Sequence, residues 1–167
     1  MTDHPILKTK RLILRAPVLS DFDAYKAFYA SDASHMIGGP VAVSEAWRLF
    51  AADAGHWALK GYGWWTVTHN EAVVGSVGLH CLPQHDALEI GWNVYTPRQG
   101  IGTEAARAAL TWAANEMRAD RIVSYINRGN AASIALAETL GAHREADVSS
   151  HNPNSAVYLH NLEGYRA

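Results

Sequence analysis

Five consecutive residues, Gln99-Gly100-Ile101-Gly102-Thr103, have the composition of a loop that could hold an anion. The two glycines let the backbone turn tightly and come close to a ligand. Apolar residues recur at helical spacing after the loop, so it should lead into the first turn of a helix. The N–H groups of that turn have no acceptor inside the helix and lie at the positive end of its dipole. The pattern therefore predicts an anion site, most simply a phosphate site.

Two nucleotide-binding motifs fit this loop less well. A P-loop needs Gly-Lys-Ser/Thr, whereas the second glycine here is followed by Thr103-Glu104. The dinucleotide fingerprint is closer, because the run from Gly100 to Ala105 has its spacing and Asp120 lies about 20 residues on. Asp120 precedes the next apolar run, 122–126, instead of following it. Too little chain then remains for the further strand and helix units of that fold.

The loop lies between a predicted strand and a predicted helix. Apolar residues alternate with polar or small ones before the loop, which is the period-2 pattern of a strand with one apolar face. These residues are Leu88, Ile90, Trp92 and Val94. Alanine-rich helical spacing continues after the loop as far as Met117. Glu89 lies on the strand face opposite the apolar residues.

The rest of the chain predicts an α/β (α+β) fold with a mixed, mostly antiparallel sheet of six to seven strands and about four helices. The further strands are predicted at 6–15, 64–68, 72–82, 121–126, 143–147 and 156–161. Helices are predicted to start at Ser20 and Ser44, and a third to run from the cap Asn130 to Leu140. The strand-helix-strand order from Leu88 to Ile126 requires one parallel crossover in an otherwise antiparallel sheet.

Composition places limits on the kind of protein. The chain has 167 residues, 49% of them hydrophobic, so residues 1–167 are predicted to form a single domain. The net charge of −2 is spread without blocks of like charge, which argues against nucleic-acid and anionic-membrane partners. No N-terminal apolar run resembles a signal peptide or a membrane span, so the protein is predicted to be cytoplasmic.

The single cysteine, Cys81, excludes an internal disulfide, and its place at the end of an apolar run favours a buried structural thiol. His80, Cys81 and His85 together could suggest a metal site. Their spacing matches no familiar zinc pattern, and there is no second cysteine. No metal site is predicted from the sequence.

Six short segments carry a resemblance to a known family. They are LKTKRLILR (7–15), IGGP (37–40), VGSVG (74–78), EIGW (89–92), GIGTEA (100–105) and NAASI (130–134), the last followed by Leu140-Gly141. In order and spacing they resemble the GCN5-related N-acetyltransferases (GNAT), and within them the branch of the ribosomal-protein alanine and serine acetyltransferases. The resemblance covers nearly the whole chain. It implies the GNAT fold and acetyl transfer from acetyl-CoA.

The resemblance also implies roles for individual residues. The glycine loop would hold the pyrophosphate of acetyl-CoA, and the strand before it would pair with the pantetheine arm beside the thioester. The cofactor-binding residues implied are Trp92, Asn93, Val94, Arg98, Gln99, Gly100, Ile101, Gly102, Thr103, Asn130 and Ser133. Backbone N–H groups aimed at the thioester oxygen would stabilise the oxyanion.

Two positions depart from the family pattern. The usual Gln or Arg before the loop is Pro97 here, and the loop is about two residues short. Proline has no N–H, so we expect fewer backbone contacts to the pyrophosphate, or charge supplied by the Arg98 side chain. Many relatives have a tyrosine acid on the last helix, at the position of Ala137. Ser133 replaces it as the candidate partner of the leaving thiol.

Acetyl transfer to an amine requires a neutral amine, so a base must remove a proton. Glu89 matches a position where many relatives have a catalytic glutamate, and His80 on the neighbouring strand is the next candidate. The reaction is predicted to be direct attack in a ternary complex, with a protein or peptide N-terminus or a small amine as acceptor. A homodimer is possible. An acceptor groove lined by Trp47, Trp64 or Trp65 is a further hypothesis.

Two other functions stay open at this point. A non-catalytic acyl-CoA binding module would bind CoA without turnover, consistent with the short loop and the missing tyrosine. A dinucleotide-binding oxidoreductase would require the fingerprint reading of the glycine loop.

Overall fold

The strands form one eight-stranded sheet in a computed structural model that describes residues 4–83, 85–97 and 99–167. In chain order they are β1 (Leu7–Lys8), β2 (Ile13–Arg15), β3 (Trp64–His69), β4 (Ala72–His80), β5 (Leu88–Val94), β6 (Ile122–Asn127), β7 (Ala142–Ala146) and β8 (Ser155–His160). Their order across the sheet is β1-β2-β3-β4-β5-β6-β8-β7. Only β5 and β6 pair in parallel, and the other six pairings are antiparallel. The predicted mixed, mostly antiparallel sheet is therefore confirmed.

The sheet has eight strands instead of six to seven, because the predicted first strand, 6–15, is two. Leu7 pairs with Leu14 across a tight turn, so β1 and β2 are antiparallel neighbours. The Thr9 hydroxyl accepts a hydrogen bond from the Leu12 N–H, and the Thr9 N–H donates to the Leu12 carbonyl. An alternating pattern cannot reveal a turn that side-chain hydrogen bonds create.

Four α-helices accompany the sheet: α1 (Phe22–Tyr29), α2 (Val43–Lys60), α3 (Ile101–Asn115) and α4 (Ala131–Thr139). Short 3₁₀ segments occur at Leu19–Asp21, Asp32–Ile37 and Glu163–Tyr165. Helix α3 connects the parallel strands β5 and β6, as the crossover predicted. No helix among the described residues is both long enough and apolar enough to cross a membrane.

The main core lies between the sheet and α3. The inner face of α3 is fully buried and mostly alanine, which lets the helix lie close to the strands; its buried residues are Ala106, Ala109, Leu110 and Ala113. Opposite them lie Leu79 of β4 and Ile90 of β5, both without exposed surface. This packing fixes the start of α3 against the end of β5, where the glycine loop lies.

The predicted cap of the first helix is wrong. Ser20 lies inside the 3₁₀ segment, and the side chain that anchors this region is Asp21. Its buried carboxylate accepts hydrogen bonds from Arg15, from the Val18 N–H and from the Thr66 hydroxyl. Burial works to raise the pKa of Asp21, but these hydrogen bonds and the Arg15 charge lower it below its usual value. The tertiary partners of Asp21 outweigh the local capping preference of serine.

Helices α1 and α2 form a second, aromatic cluster with a buried carboxylate in it. Tyr25 of α1 donates a 2.9 Å hydrogen bond to Asp53 of α2. Burial raises the pKa of Asp53 from 3.8 to about 7, although the Tyr25 hydrogen bond opposes the rise. The carboxylate therefore costs free energy when it ionises in the folded protein.

This cost predicts how Asp53→Asn changes stability with pH. The unfolded chain releases the Asp53 proton above pH 3.8 and the folded protein only near pH 7. The wild type should therefore lose up to about 1.4 kcal/mol of unfolding free energy per pH unit in between, relative to Asp53→Asn. Denaturant unfolding from pH 4 to 8 measures the difference. The matched control is Asp23→Asn, which removes an exposed carboxylate from the same pair of helices. A wild-type-to-Asn difference that stays constant with pH would contradict the buried-carboxylate account.

Candidate functional site

Strands β5 and β6 separate after only two paired positions. Leu88 pairs with Ile122 and Glu89 with Val123, and there the parallel ladder ends. At the point of separation the Ser124 hydroxyl donates a 2.7 Å hydrogen bond to the Ile90 carbonyl. Beyond it the strands enclose a cavity of about 530 Å³. This opening at the carboxyl end of a strand is where open sheets bind ligands.

The backbone of β5 supplies polar groups to this gap. The Tyr95 N–H, just after β5, donates to the Val74 carbonyl of β4. Backbone groups alternate in direction along a strand, so the N–H groups of Trp92 and Val94 face the opposite side, toward β6. These two N–H groups can bind an extended ligand that lies along β5.

The side chain of Asn93, the residue between them, forms hydrogen bonds with β4 and α1. Its amide Nδ2 lies 3.2 Å from the Ser76 hydroxyl and 3.4 Å from the Tyr29 hydroxyl, and it is 7% exposed. Asn93 therefore ties β5 to β4 and α1. It is also among the residues that line the cavity.

The glycine loop ends at the N-terminus of α3. Gly100 has φ +71°, a left-handed conformation that glycine adopts without strain, and α3 begins at the next residue. A Cβ on Gly102 would lie 2.7 Å from a Leu136 methyl group and 2.8 Å from a Val94 methyl group, so a larger residue would fit only if these side chains moved. The side chain of Ile101 is buried in the core. Ile101 and Gly102 can therefore offer a ligand only their backbone N–H groups.

Gln99 and Thr103 lie at the surface and at the start of α3, respectively. Gln99 is exposed, and its carbonyl accepts a 3.0 Å hydrogen bond from Arg11. Thr103 lies half-buried in the first turn of α3. Pro97 is exposed. The predicted contact of Arg98 lies outside the described residues.

A charged brace holds the start of α3 to the β1–β2 turn. Glu104 accepts hydrogen bonds from the Thr9 hydroxyl at 2.6 Å and from the Arg11 Nε at 2.7 Å. Desolvation works to raise the pKa of Glu104, but the hydrogen bonds from Thr9 and Arg11 lower it overall. Arg11 in turn bonds the Gln99 carbonyl. The carboxylate nearest the candidate anion site is thus neutralised, and the loop is fixed through Arg11.

Glu89, the first candidate base, lines the cavity and is flanked by two histidines. Its carboxylate lies 2.9 Å from His80 Nε2 and 3.3 Å from His85 Nδ1, and its side chain is 13% exposed. The indole of Trp64 stacks on His80 with 5.6 Å between ring centroids. Trp64 also covers Gly91, where a Cβ would lie 2.7 Å from its ring. Burial lowers the pKa of His85, with Glu89 opposing the shift.

Ser133, the candidate thiol partner, lines the same cavity from α4. The indole N–H of Trp92 donates to its hydroxyl oxygen at 3.3 Å, which leaves the hydroxyl hydrogen free to donate elsewhere. Asn130 caps α4, because its Oδ1 accepts the Ser133 N–H at 3.1 Å. Ala137 has no exposed surface, so this position offers no acid to the cavity.

The groove hypothesis is partly wrong. Trp65 is fully buried in the main core, where its indole N–H donates to the Pro5 carbonyl. Trp47 is 46% exposed and packs edge-on against Phe22. Only Trp64 of the three lines the cavity.

Sequence reasoning also missed several residues that line the cavity: Tyr29, His35, Met36, Tyr125, Asn127, Asn152 and Asn154. Tyr125 and Asn127 follow from the predicted crossover, since β6 must border the gap. The others come from the end of α1, from the 3₁₀ segment that follows it and from the loop before β8, where no local pattern points to a site.

Comparison with known proteins identifies the family. A profile described as "Acetyltransferase (GNAT) domain" matches residues 11–143. The chain belongs to the GNAT acetyltransferase family. The resemblance seen in the sequence is thereby confirmed.

Solved structures agree with this assignment. This GNAT family member is 30% identical in sequence to the acetyltransferase from Agrobacterium tumefaciens. The crystal structure of that protein superposes on it with a TM-score of 0.90 over 96% of each chain. RimJ of Mycobacterium smegmatis, solved in complex with CoA-disulfide, shares the fold at 18% identity with a TM-score of 0.72, over 95% of this chain and 87% of RimJ. Among curated proteins, the uncharacterised YkkB of Bacillus subtilis is 33% identical over 109 residues. That alignment covers 59% of this chain and 62% of YkkB, less than two thirds of its length.

The brace between Glu104 and Arg11 predicts a pH-dependent loss of stability in Glu104→Gln. The folded pKa of Glu104 lies below its unfolded value of 4.5, so its contribution is complete above pH 4.5 and disappears as the pH falls through the folded pKa. At pH 7 we expect Glu104→Gln to lower the unfolding free energy by about 1 kcal/mol, because the pair is partly exposed. Thermal unfolding at pH 7 and pH 3 measures the difference, with Glu138→Gln, an exposed position on α4, as the control. Equal destabilisation at both pH values would mean that charge plays no part.

Proposed function

We propose that the chain transfers an acetyl group from acetyl-CoA to a primary amine, by direct attack in a ternary complex. The acceptor would be a protein or peptide N-terminus or a small amine. The observation that carries the proposal is the single cavity at the β5–β6 separation, which a carboxylate, Glu89, and a hydroxyl, Ser133, both line. RimJ, a relative in fold, has been solved with CoA-disulfide, which supports CoA as the donor's carrier.

The donor would lie along β5 with its pyrophosphate at the start of α3. The N–H groups of Ile101, Gly102 and Thr103 belong to the first helical turn and have no acceptor within the helix. The pantetheine amides would pair with the backbone of Trp92 and Val94 on the side facing β6. An N–H of β5 near the thioester oxygen would stabilise the oxyanion, a contribution of roughly 3 kcal/mol per donor.

Two residues that line the cavity, Glu89 and Ser133, would carry out the proton transfers. Glu89 takes a proton from the ammonium form of the acceptor, and the free amine attacks the thioester carbonyl. The C–N bond forms, the C–S bond breaks, and the second amine proton leaves to solvent or to Glu89 after the first has been released. Ser133 donates its hydroxyl hydrogen, which is free because Trp92 donates to its oxygen, to the departing thiolate and takes a replacement proton from solvent in the same step, so that no alkoxide remains.

The charge of the cavity supports a cationic acceptor. Glu89 is the only carboxylate among the described residues that line it, and none of those residues is Lys or Arg. Aromatic faces from Trp64, Tyr125 and Tyr29 border the same space. Such a lining suits an ammonium group, because aromatic faces attract a cation. It offers no positive side chain to pair with an acceptor carboxylate.

Glu89→Gln should remove the base and leave the donor site intact. We expect kcat to fall about 10²–10³-fold at pH 7.5, with the Kd for acetyl-CoA changed less than about twofold. Thiol release with a panel of peptide and small-amine acceptors gives kcat, and calorimetric titration with acetyl-CoA gives Kd. Glu138→Gln is the matched control, a carboxylate on α4 away from the cavity lining.

Three outcomes separate the alternatives. Binding of acetyl-CoA without turnover for any acceptor would favour a non-catalytic acyl-CoA binding module. Turnover that Glu89→Gln leaves unchanged would assign the base elsewhere. Binding of NAD in place of acetyl-CoA would overturn the proposal.

Ser133→Ala should slow the step in which the thiol leaves. Loss of one hydrogen bond to a developing thiolate corresponds to about 1.5 kcal/mol, so kcat should fall about tenfold. Ser133→Thr keeps a hydroxyl and should restore most of the rate, which separates proton donation from packing. Trp92→Phe removes the indole N–H but keeps the serine, and should cost less than Ser133→Ala. A full-rate Ser133→Ala variant would leave protonation of the thiolate to water.

A further inference from the structure

The candidate base Glu89 and two neighbouring histidines form a constellation whose histidines the proposed acetyl transfer does not require. His80 ends β4, Glu89 lies opposite it on β5, and His85 comes from the loop between the two strands. One ligand atom from each lies within 4.8 Å of the other two. In the sequence Cys81 lies near these histidines at a spacing that predicted no metal site, and the antiparallel register of β4 and β5 puts Glu89 beside His80.

The separations suit one metal ion. Glu89 Oε2 is 2.9 Å from His80 Nε2 and 3.3 Å from His85 Nδ1. In a tetrahedral zinc site with bonds of about 2.0–2.1 Å, neighbouring ligand atoms are about 3.3 Å apart. Small rotations of the side chains would therefore bring all three atoms to bonding distance of one ion. Two imidazoles and one carboxylate are also the ligand set of a zinc site with an open fourth position.

The histidine from the loop lacks another partner for its inward nitrogen. The His85 side chain is only 5% exposed, and its Nδ1 is buried without a hydrogen-bond partner among the described residues. A buried polar atom without a partner is costly unless a ligand satisfies it. Nδ1 is the atom that points toward Glu89, so the unsatisfied group is aimed into the constellation.

Neighbouring aromatic rings hold both histidines in place. Trp64 stacks on His80 at 5.6 Å between centroids, and His151 stacks on His85 at 4.2 Å. Tyr125 contacts the edges of both His85 and His151. Fixed ring orientations reduce the entropy that a metal site must lose on binding.

We propose that His80, His85 and Glu89 bind one Zn²⁺ ion, and that the bound ion reversibly inhibits acetyl transfer. Imidazole nitrogens favour zinc over the hard cations Mg²⁺ and Ca²⁺. The ion replaces the proton between His80 Nε2 and the Glu89 carboxylate, and its open position faces the cavity that Glu89 lines. Glu89 then can no longer accept a proton from an amine. This inhibition rests on the function proposed above, whereas zinc binding does not.

Binding is tested first, on the full chain freed of metal by chelation and dialysis. Calorimetric titration with Zn²⁺ should give one ion per chain with a Kd of about 10 µM or tighter, and titration with Mg²⁺ should give no binding. His85→Gln should weaken zinc binding at least tenfold. His143→Gln, an exposed histidine on β7, is the matched control and should bind as the wild type does. His80→Gln provides a second ligand variant if His85→Gln does not fold, as judged by thermal unfolding.

Inhibition is tested separately, by thiol release in the presence of buffered zinc. Zinc should inhibit the wild type and His143→Gln at the concentration at which it binds, and chelation should restore activity. The turnover that His85→Gln retains should require at least tenfold more zinc for inhibition. A protein without acetyltransferase activity would still show the calorimetric result, so failure of the function and failure of the site are distinguishable. Absence of stoichiometric zinc binding, or binding unchanged in both ligand variants, would overturn the site.

Discussion

The candidate site depends on how few residues pair between the parallel strands β5 and β6. Strands β5 and β6 are parallel neighbours for two residues and then part, although β6 continues to Asn127 and β5 to Val94. A continuous ladder would satisfy every backbone group between them and leave no place for a ligand. Separation instead leaves N–H and C=O groups of β5 facing a gap, and Ser124 satisfies the Ile90 carbonyl at the point where pairing fails. The unpaired stretch is thus confined to the length that an extended ligand can cover.

The separation is held open from both ends. At the far end, Gly102 packs without a side chain between Val94 and Leu136, which fixes α3 and α4 close to the end of β5. Toward the other end, Trp64 lies across Gly91 and stacks on His80, forming a wall of the cavity. Glycine suits both positions because a Cβ would lie within 3.0 Å of neighbouring side chains, which would have to move. Close packing shapes the cavity at both ends, and the segments after α1 and before β8 complete its lining.

Four carboxylates that are buried or partly buried each have a different environment. Asp21 is paired with Arg15 and satisfied by further donors, and Glu104 is satisfied by Thr9 and Arg11. Asp53 accepts a hydrogen bond from the Tyr25 hydroxyl, and burial has the largest influence on its pKa. Glu89 is flanked by imidazoles, groups that can share a proton with it or bind a metal beside it. The same environment that suits a general base therefore also suits a metal ligand.

The sequence by itself determined the strand, glycine loop and helix around residues 88–117, the parallel crossover and the family, because these depend on local periodicity and on short motifs in order. It also placed Glu89, Asn130 and Ser133 on elements that border one cavity. The tertiary structure decided what local pattern cannot encode. It divided the first strand at a turn held by Thr9, moved the anchor of the first helix from Ser20 to Asp21, and buried Trp65 while leaving Trp64 at the site. It also set His80 opposite Glu89 through the register of β4 and β5, since cross-strand pairing is fixed only when the sheet forms.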